Sequence, residues 1–154
     1  MKSKIRLCGW LFVLLLSIFL PTARAQTAYT PKAGSPERQA ICDAARVFVL
    51  DKYATGTLPQ SIVFKIRHLA VTNRYCNFEA IPLFKGGSYV GSEYIQDIAF
   101  NFCLQRTESG WRVIVDLSRT DVPDGAEVEK IRSSLPPDLP RSVFSPTWRR
   151  LLGE

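Results

Sequence analysis

His68 is the only imidazole in the 154-residue chain, so it is the one side chain whose ordinary pKa suits proton transfer near neutrality. It lies where the alternation of a strand changes phase. A catalytic site is recognised by several converging groups, and the favoured reading is a histidine at the surface or in a bulge. Asp97 stands in an otherwise apolar strand and would be a carboxylate facing a pocket; the plainer reading is the start of the strand or its solvated face. The segment Gly86-Gly87-Ser88-Tyr89-Val90-Gly91 has glycines five apart, superficially like a phosphate loop. It continues with Ser92-Glu93 where that loop requires Lys-Ser or Lys-Thr, and it joins two strands where the motif joins a strand to a helix. It reads as a hairpin loop. Its Tyr89, with Phe84 and Tyr94, supplies rings for recognition of a partner protein, or else caps the end of the core.

No Gly-x-Ser-x-Gly and no His-Glu-x-x-His is present, and a Ser-His-Asp set would have to use His68, so hydrolase chemistry is poorly supported. Arg106, Arg112, Arg119, Arg149 and Arg150 read as a solvated basic face. The four cysteines are Cys8, Cys42, Cys76 and Cys103. With a single histidine and no two cysteines within five residues, a metal site is not expected, and no cofactor is called for. A disulfide is expected between Cys76 and Cys103, because the chain between them is centred on residues 88–90, where a glycine-rich turn should lie, and opposed strand residues can be bridged. That pairing sets Phe78 opposite Asn101. A shift by one matches Phe78 with Phe102 and sends the two cysteines to different faces; a bulge, or a bridge from Cys42 on the helix to either strand, would resolve the conflict.

The compartment follows from the first 25 residues. Lys2, Lys4 and Arg6 precede an apolar run over residues 10–20, followed by Pro21 and Ala23-Arg24-Ala25, the pattern of a secretory signal with a small-residue cleavage site. The run falls short of the roughly 20 apolar residues of a membrane span, so none is expected in the mature chain. The full chain carries 20 basic and 14 acidic residues, net +6. Four basic residues belong to the leader, which leaves 16 against 14, or +2, after cleavage near Ala25. Such a balance gives no electrostatic case for nucleic acid. The remaining 129 residues suit a single domain that buries about two thirds of its unfolded surface.

The elements that must position these residues are legible in order. Residues 26–34 read as a flexible arm. Ser35-Pro36-Glu37 supplies a capping oxygen, a first-turn proline and an acid at the positive helix end. Ile41, Cys42, Ala45, Phe48 and Val49 then form the apolar stripe of a helix running to about Tyr53. Strands are expected over residues 62–71, with a bulge near Arg67-His68 to reconcile its two phases, and over residues 75–83. Residues 93–118 read as a central hairpin closed by Thr107-Glu108-Ser109-Gly110, with Arg106 opposite Trp111, Leu104 opposite Val113, Phe102 opposite Val115 and Phe100 opposite Leu117. Short helices are expected over residues 126–133 and from Ser145-Pro146 onward, burying Trp148 and Leu151 or Leu152. The fold class is α+β over residues 35–154: one long helix on a curved four-stranded antiparallel sheet, then short C-terminal helices.

Two stretches carry a resemblance. Gly34-Ser35-Pro36-Glu37-Arg38-Gln39-Ala40-Ile41-Cys42-Asp43-Ala44-Ala45-Arg46 and Gly110-Trp111-Arg112-Val113, followed by Thr120-Asp121-Val122, resemble a group of small secreted bacterial proteins without an established activity. The resemblance implies a periplasmic or secreted home and a cystatin-like roll, and it transfers no catalytic residues. Cys42 and Cys76 depart from the group, which has positions like leucine and alanine there, so a disulfide would be a local addition. The function expected is a non-enzymatic module that binds a protein partner of the cell envelope, of inhibitor or immunity type. The alternative is a small-molecule pocket or an isomerase- or dehydratase-like enzyme, with a cavity lined by Phe100, Phe102, Val113 and Val115 and with Asp97 or His68 pointing in.

Overall fold

The computed structural model describes residues 27–53, 62–84, 99–119 and 121–154. Helix α1 spans Pro36–Tyr53. Gly34 before it adopts φ +77°, a left-handed conformation that glycine takes without steric penalty. Ser35 then opens the helix, its Oγ accepting the Arg38 N–H at 3.3 Å and its carbonyl the Gln39 N–H at 3.0 Å. Ile41, Ala45 and Val49, four residues apart, are fully buried, while Asp43, Val47 and Asp51 on the opposite side are exposed.

That stripe covers a sheet of four antiparallel strands in the order β1-β2-β3-β4: β1 Ile62–Val71, β2 Tyr75–Phe84, β3 Phe100–Thr107 and β4 Gly110–Asp116. The bulge in β1 lies where the change of phase placed it. Ile66 pairs with Ala80 and His68 with Glu79, so Arg67 is the extra residue, and Phe64, Ile66, Leu69 and Val71 all reach the core beneath α1. Aromatic rings fill this core: Phe48 meets Phe102 edge to face at 5.1 Å, Phe64 meets Phe78 at 5.1 Å, and Phe78 and Phe100 stack on Phe102 at 6.3 and 5.4 Å. The cavity expected between Phe100, Phe102, Val113 and Val115 is therefore occupied by side chains at Phe100 and Phe102, which are fully buried.

The turn of the central hairpin pairs Thr107 with Gly110, Arg106 with Trp111 and Leu104 with Val113 as expected. Beyond Val113 the register shifts: Cys103 pairs with Val115 and Phe102 with Asp116. Ile114 is thus an extra residue, and the bulge turns Val115 and Leu117 to the face away from α1. The expected pairs of Phe102 with Val115 and Phe100 with Leu117 are corrected on this ground.

The far face carries a second core, and the C-terminal third of the chain covers it. Helix α2 spans Gly125–Ser134, a short 3-10 turn covers Arg141–Val143, and helix α3 spans Pro146–Leu151. Asp124 caps α2 by accepting the Glu127 N–H at 2.8 Å, while the Glu127 side chain accepts the Asp124 N–H at 3.2 Å, a reciprocal capping box. Ile131, Leu135, Leu139, Val143, Phe144, Trp148 and Leu152 from this segment bury against Tyr75, Cys103 and Leu117 of the sheet. The sheet is therefore covered on both faces.

The arm pairs with the sheet: Tyr29 exchanges two backbone hydrogen bonds with Val71 (2.9 and 2.8 Å), and Thr30 Oγ1 donates to the Leu69 carbonyl at 2.9 Å. The pairing is made by backbone atoms, which leave no periodic signal in side chains. The disulfide is absent, since Cys42, Cys76 and Cys103 are free thiols. Phe78 pairs with Phe102, Cys76 with Leu104 and Cys103 with Asn77, so Cys76 enters the core under α1 and Cys103 the core on the far face. Stacking the aromatic residues on one side decides the register, and directly opposed cysteines are lost with it.

Burial pushes the Cys103 thiol up to about 12 and raises Cys76 well above the ordinary thiol value. Both are expected to resist alkylation in the folded chain at neutral pH and to react once the chain is unfolded without reductant. Recovery of a Cys76–Cys103 crosslinked peptide in a non-reducing map would contradict this. The sign of the pH dependence follows: the contribution of protonated Cys103 is complete below the ordinary thiol pKa and is lost as pH rises from there toward about 12, because the unfolded thiol ionises first. Among the described residues no helix is long and apolar enough to cross a membrane.

Candidate functional site

The bulge in β1 and the crossing of the C-terminal segment leave a cleft of about 420 Å³ on the far face of the sheet. Arg67, Glu79, Asn101 and Leu117 line it from the sheet side, residues 121 to 123 from the connection into α2, and Thr147, Trp148 and Leu151 from α3. Its volume falls within the range of roughly 300–1,000 Å³ common to small-ligand pockets, which combine apolar walls with a few placed polar groups. Val122 is 81% exposed while lining this cleft, an apolar side chain left uncovered at its mouth.

Glu79 is the central polar group. It pairs with Asn101 across β2 and β3, and its Oε1 accepts from Ser145 Oγ at 2.6 Å and from Asn101 Nδ2 at 3.4 Å. Asn101 in turn accepts the Asn77 Nδ2 hydrogen at 2.6 Å, and both amides are buried, at 4% and 0% exposure. Asn77 Oδ1 is buried and, among the described residues, has no hydrogen-bond partner. Ser145 precedes Pro146 at the start of α3, where a serine ordinarily caps the helix. Here it makes no capping bond, because its hydroxyl is directed to Glu79 instead. A helix terminus has given up its local partner to hold a carboxylate, a departure from local preference of the kind expected at functional positions.

Arg119 is a cation of the same lining, placed by a backbone bridge between Ala99 and Arg119. Its guanidinium donates to Glu127 Oε2 at a long 3.3 Å, and among the described residues its buried Nε–H has no partner. The cleft thus brings together two Arg and two acidic side chains, with Arg67 and Asp121 completing the set, against the apolar surfaces of Trp148, Leu151, Leu117 and Pro123. Among the described residues no three His, Cys, Asp or Glu side chains converge as metal ligands.

His68 is placed outside this arrangement. Its Nε2 lies 2.7 Å from the Val143 carbonyl, and since a carbonyl only accepts, Nε2–H is the donor. The imidazole fastens β1 to the 3-10 turn of the C-terminal segment. His68→Ala is expected to lower stability by about 1 kcal/mol, the usual net value of one such bond, and to leave ligand binding in the cleft unchanged; a loss of binding comparable to that of a cleft variant would contradict the assignment. Phe84 ends β2 opposite Ile62. Tyr89, Tyr94 and Asp97 lie outside the described residues. In the sequence Ser145 reads as the start of a short helix, and Asn77, Glu79 and Asn101 belong to no functional motif. Their signal is a polar phase, Asn77, Glu79 and Asn101, in strands whose other phase is apolar, a pattern that an ordinary solvated face shares.

Comparisons of the chain with protein-family models, with curated proteins and with solved structures give no match.

Proposed function

We propose that this chain is a secreted or periplasmic binding protein that holds a small ligand, without catalysis of its own, in the cleft between the sheet and the C-terminal segment. One observation carries the reading: Glu79 is held from one side by Ser145 and Asn101 within a cleft whose walls are largely apolar. A carboxylate fixed in this way is preorganised for recognition, and preorganisation lowers the entropic penalty of binding. The one histidine is committed to Val143, which supports the non-catalytic reading. The leader-like pattern of residues 1–25 and the resemblance to secreted bacterial proteins support the location. The helix laid across one face of an antiparallel sheet supports a cystatin-like roll, to which the C-terminal segment adds a second layer.

The test is a search for ligands that raise the melting temperature of the mature protein, repeated on Thr147→Trp. Thr147 is exposed and lines the cleft, so an indole there fills the space without disturbing the core. A ligand present at about 100 times its Kd stabilises by about 2.7 kcal/mol. That shift is expected in the natural chain and not in Thr147→Trp. Equal shifts in both would place the binding elsewhere.

A protein partner of the envelope, of inhibitor or immunity type, is the second reading, and a separate surface favours it. Arg106 lies over the Trp111 ring at 4.7 Å and is ion-paired to Glu37, which also accepts the Tyr29 hydroxyl at 2.8 Å. Trp, Tyr and Arg are the residue types that dominate protein-binding hot spots, and Glu37 bonds two of them here, Tyr29 and Arg106. Val47, 67% exposed, adjoins Trp111 along the groove between α1 and β4. A partner using this surface would be released by Trp111→Ala, with binding in the cleft retained.

A further inference from the structure

We propose that the ligand of this cleft is a small zwitterion on an apolar body, of the class of a free amino acid with an apolar side chain; this rests on the reading of the cleft as a ligand seat. Its cationic end meets Glu79, its anionic end meets Arg119, and its apolar body lies against Trp148 and Leu151.

Three observations lead there. Glu79 uses Oε1 for both of its hydrogen bonds, from Ser145 and Asn101. Among the described residues its Oε2 has no partner, so the carboxylate keeps acceptor capacity for an ammonium. Among the described residues Arg119 makes one long bond to Glu127, at 3.3 Å, and its buried Nε–H has no partner. Buried polar groups are ordinarily satisfied, and a guanidinium with idle donors is suited to a carboxylate, which it grips through paired hydrogen bonds. Finally, the charged side chains lining the cleft balance, with Arg67 and Arg119 against Glu79 and Asp121. A ligand of one net sign is attracted by one pair and repelled by the other, whereas a ligand carrying both signs satisfies the two together. The apolar walls then set the rest of the ligand's chemistry, since burial of a hydrocarbon or aromatic side chain against Trp148 supplies affinity without further polar contacts.

The experiment is calorimetric titration of the mature protein with L-phenylalanine, with phenylalanine amide, which lacks the carboxylate, and with N-acetylphenylalanine, which lacks the ammonium. The zwitterion is expected to bind at least about tenfold more tightly than either derivative, the scale of one charge-assisted hydrogen bond. Glu79→Gln keeps an acceptor for Ser145 and Asn101 and is expected to erase the preference over the N-acetyl form. Arg119→Met is expected to erase the preference over the amide. Equal affinities for the three forms, together with their loss in Thr147→Trp, would overturn the ligand class and leave the cleft reading standing. Binding of L-phenylalanine that persists in Thr147→Trp would overturn the cleft itself. Absence of binding by all three at millimolar concentration would overturn the amino-acid class, and the wider ligand search then judges the cleft alone.

Discussion

Phe102→Ala is expected to cost about 3–5 kcal/mol of folding stability, the range for removing a buried ring from a close-packed core. The residue is fully buried and is the hub of the aromatic cluster: Phe48 of α1 meets it edge to face, while Phe78 and Phe100 stack on it. Its loss removes three ring contacts at once and leaves a cavity at the junction of helix and sheet, where neither layer can collapse without moving the other. Denaturant unfolding followed by the midpoint at constant slope measures the effect. A loss below about 1 kcal/mol, the scale of an exposed substitution, would mean that Phe102 does not face α1 and would overturn the register of β2 against β3. Leu, which restores much of the volume, is expected to recover a large part of the difference.

The same ring explains which parts of the fold the sequence disclosed. The stripe of α1, the phase change in β1, and the turn at Glu108 and Ser109 all announce themselves through local chemistry: a four-residue spacing, a broken alternation, and a glycine at φ +120°. The pairing of β2 with β3 is different, because two registers one residue apart offered rival attractions, opposed cysteines in one and opposed phenylalanines in the other. In the oxidised register one bridge is gained at the expense of the Phe78–Phe102 stack. Aromatic burial decides, and Cys76 and Cys103 go to separate cores.

The second layer was illegible for another reason. A strand that is apolar on one phase and polar on the other reads as half-buried, and Asn77, Glu79 and Asn101 fit a solvated face. Yet the chain after residue 124 carries Val128, Ile131, Leu135, Leu139, Val143, Phe144, Trp148 and Leu152, all buried. Short helices interrupted by prolines cannot bury so many side chains among themselves. They need a surface, and the face of the sheet opposite α1 is the one left. Against that need the amides stand out as buried groups requiring partners, and Glu79 as the carboxylate among them.

Asn101→Leu is expected to cost about 1–3 kcal/mol, the penalty for leaving a buried polar group without its partner. The Asn77 amide donates to Asn101 Oδ1 at 2.6 Å and to the Phe102 carbonyl at 3.3 Å, and among the described residues its own Oδ1 is already unpartnered. Removing Asn101 leaves that amide only the longer bond, inside a layer closed to water. Asn77→Leu alone strands Asn101 in the same way. The double replacement removes both polar groups together, so its cost is expected to fall short of the sum of the singles by more than about 0.5 kcal/mol, the margin within which independent sites add. Additive costs would show that the two amides stand alone and that no connected network supports the cleft. Because Asn101 also donates to Glu79 at 3.4 Å, its replacement leaves Ser145 as the carboxylate's remaining partner. Ligand affinity should then fall along with stability in Asn101→Leu and persist in Asn77→Leu, which changes no bond to Glu79, and that divergence separates the positioning of the site from the packing of the layer.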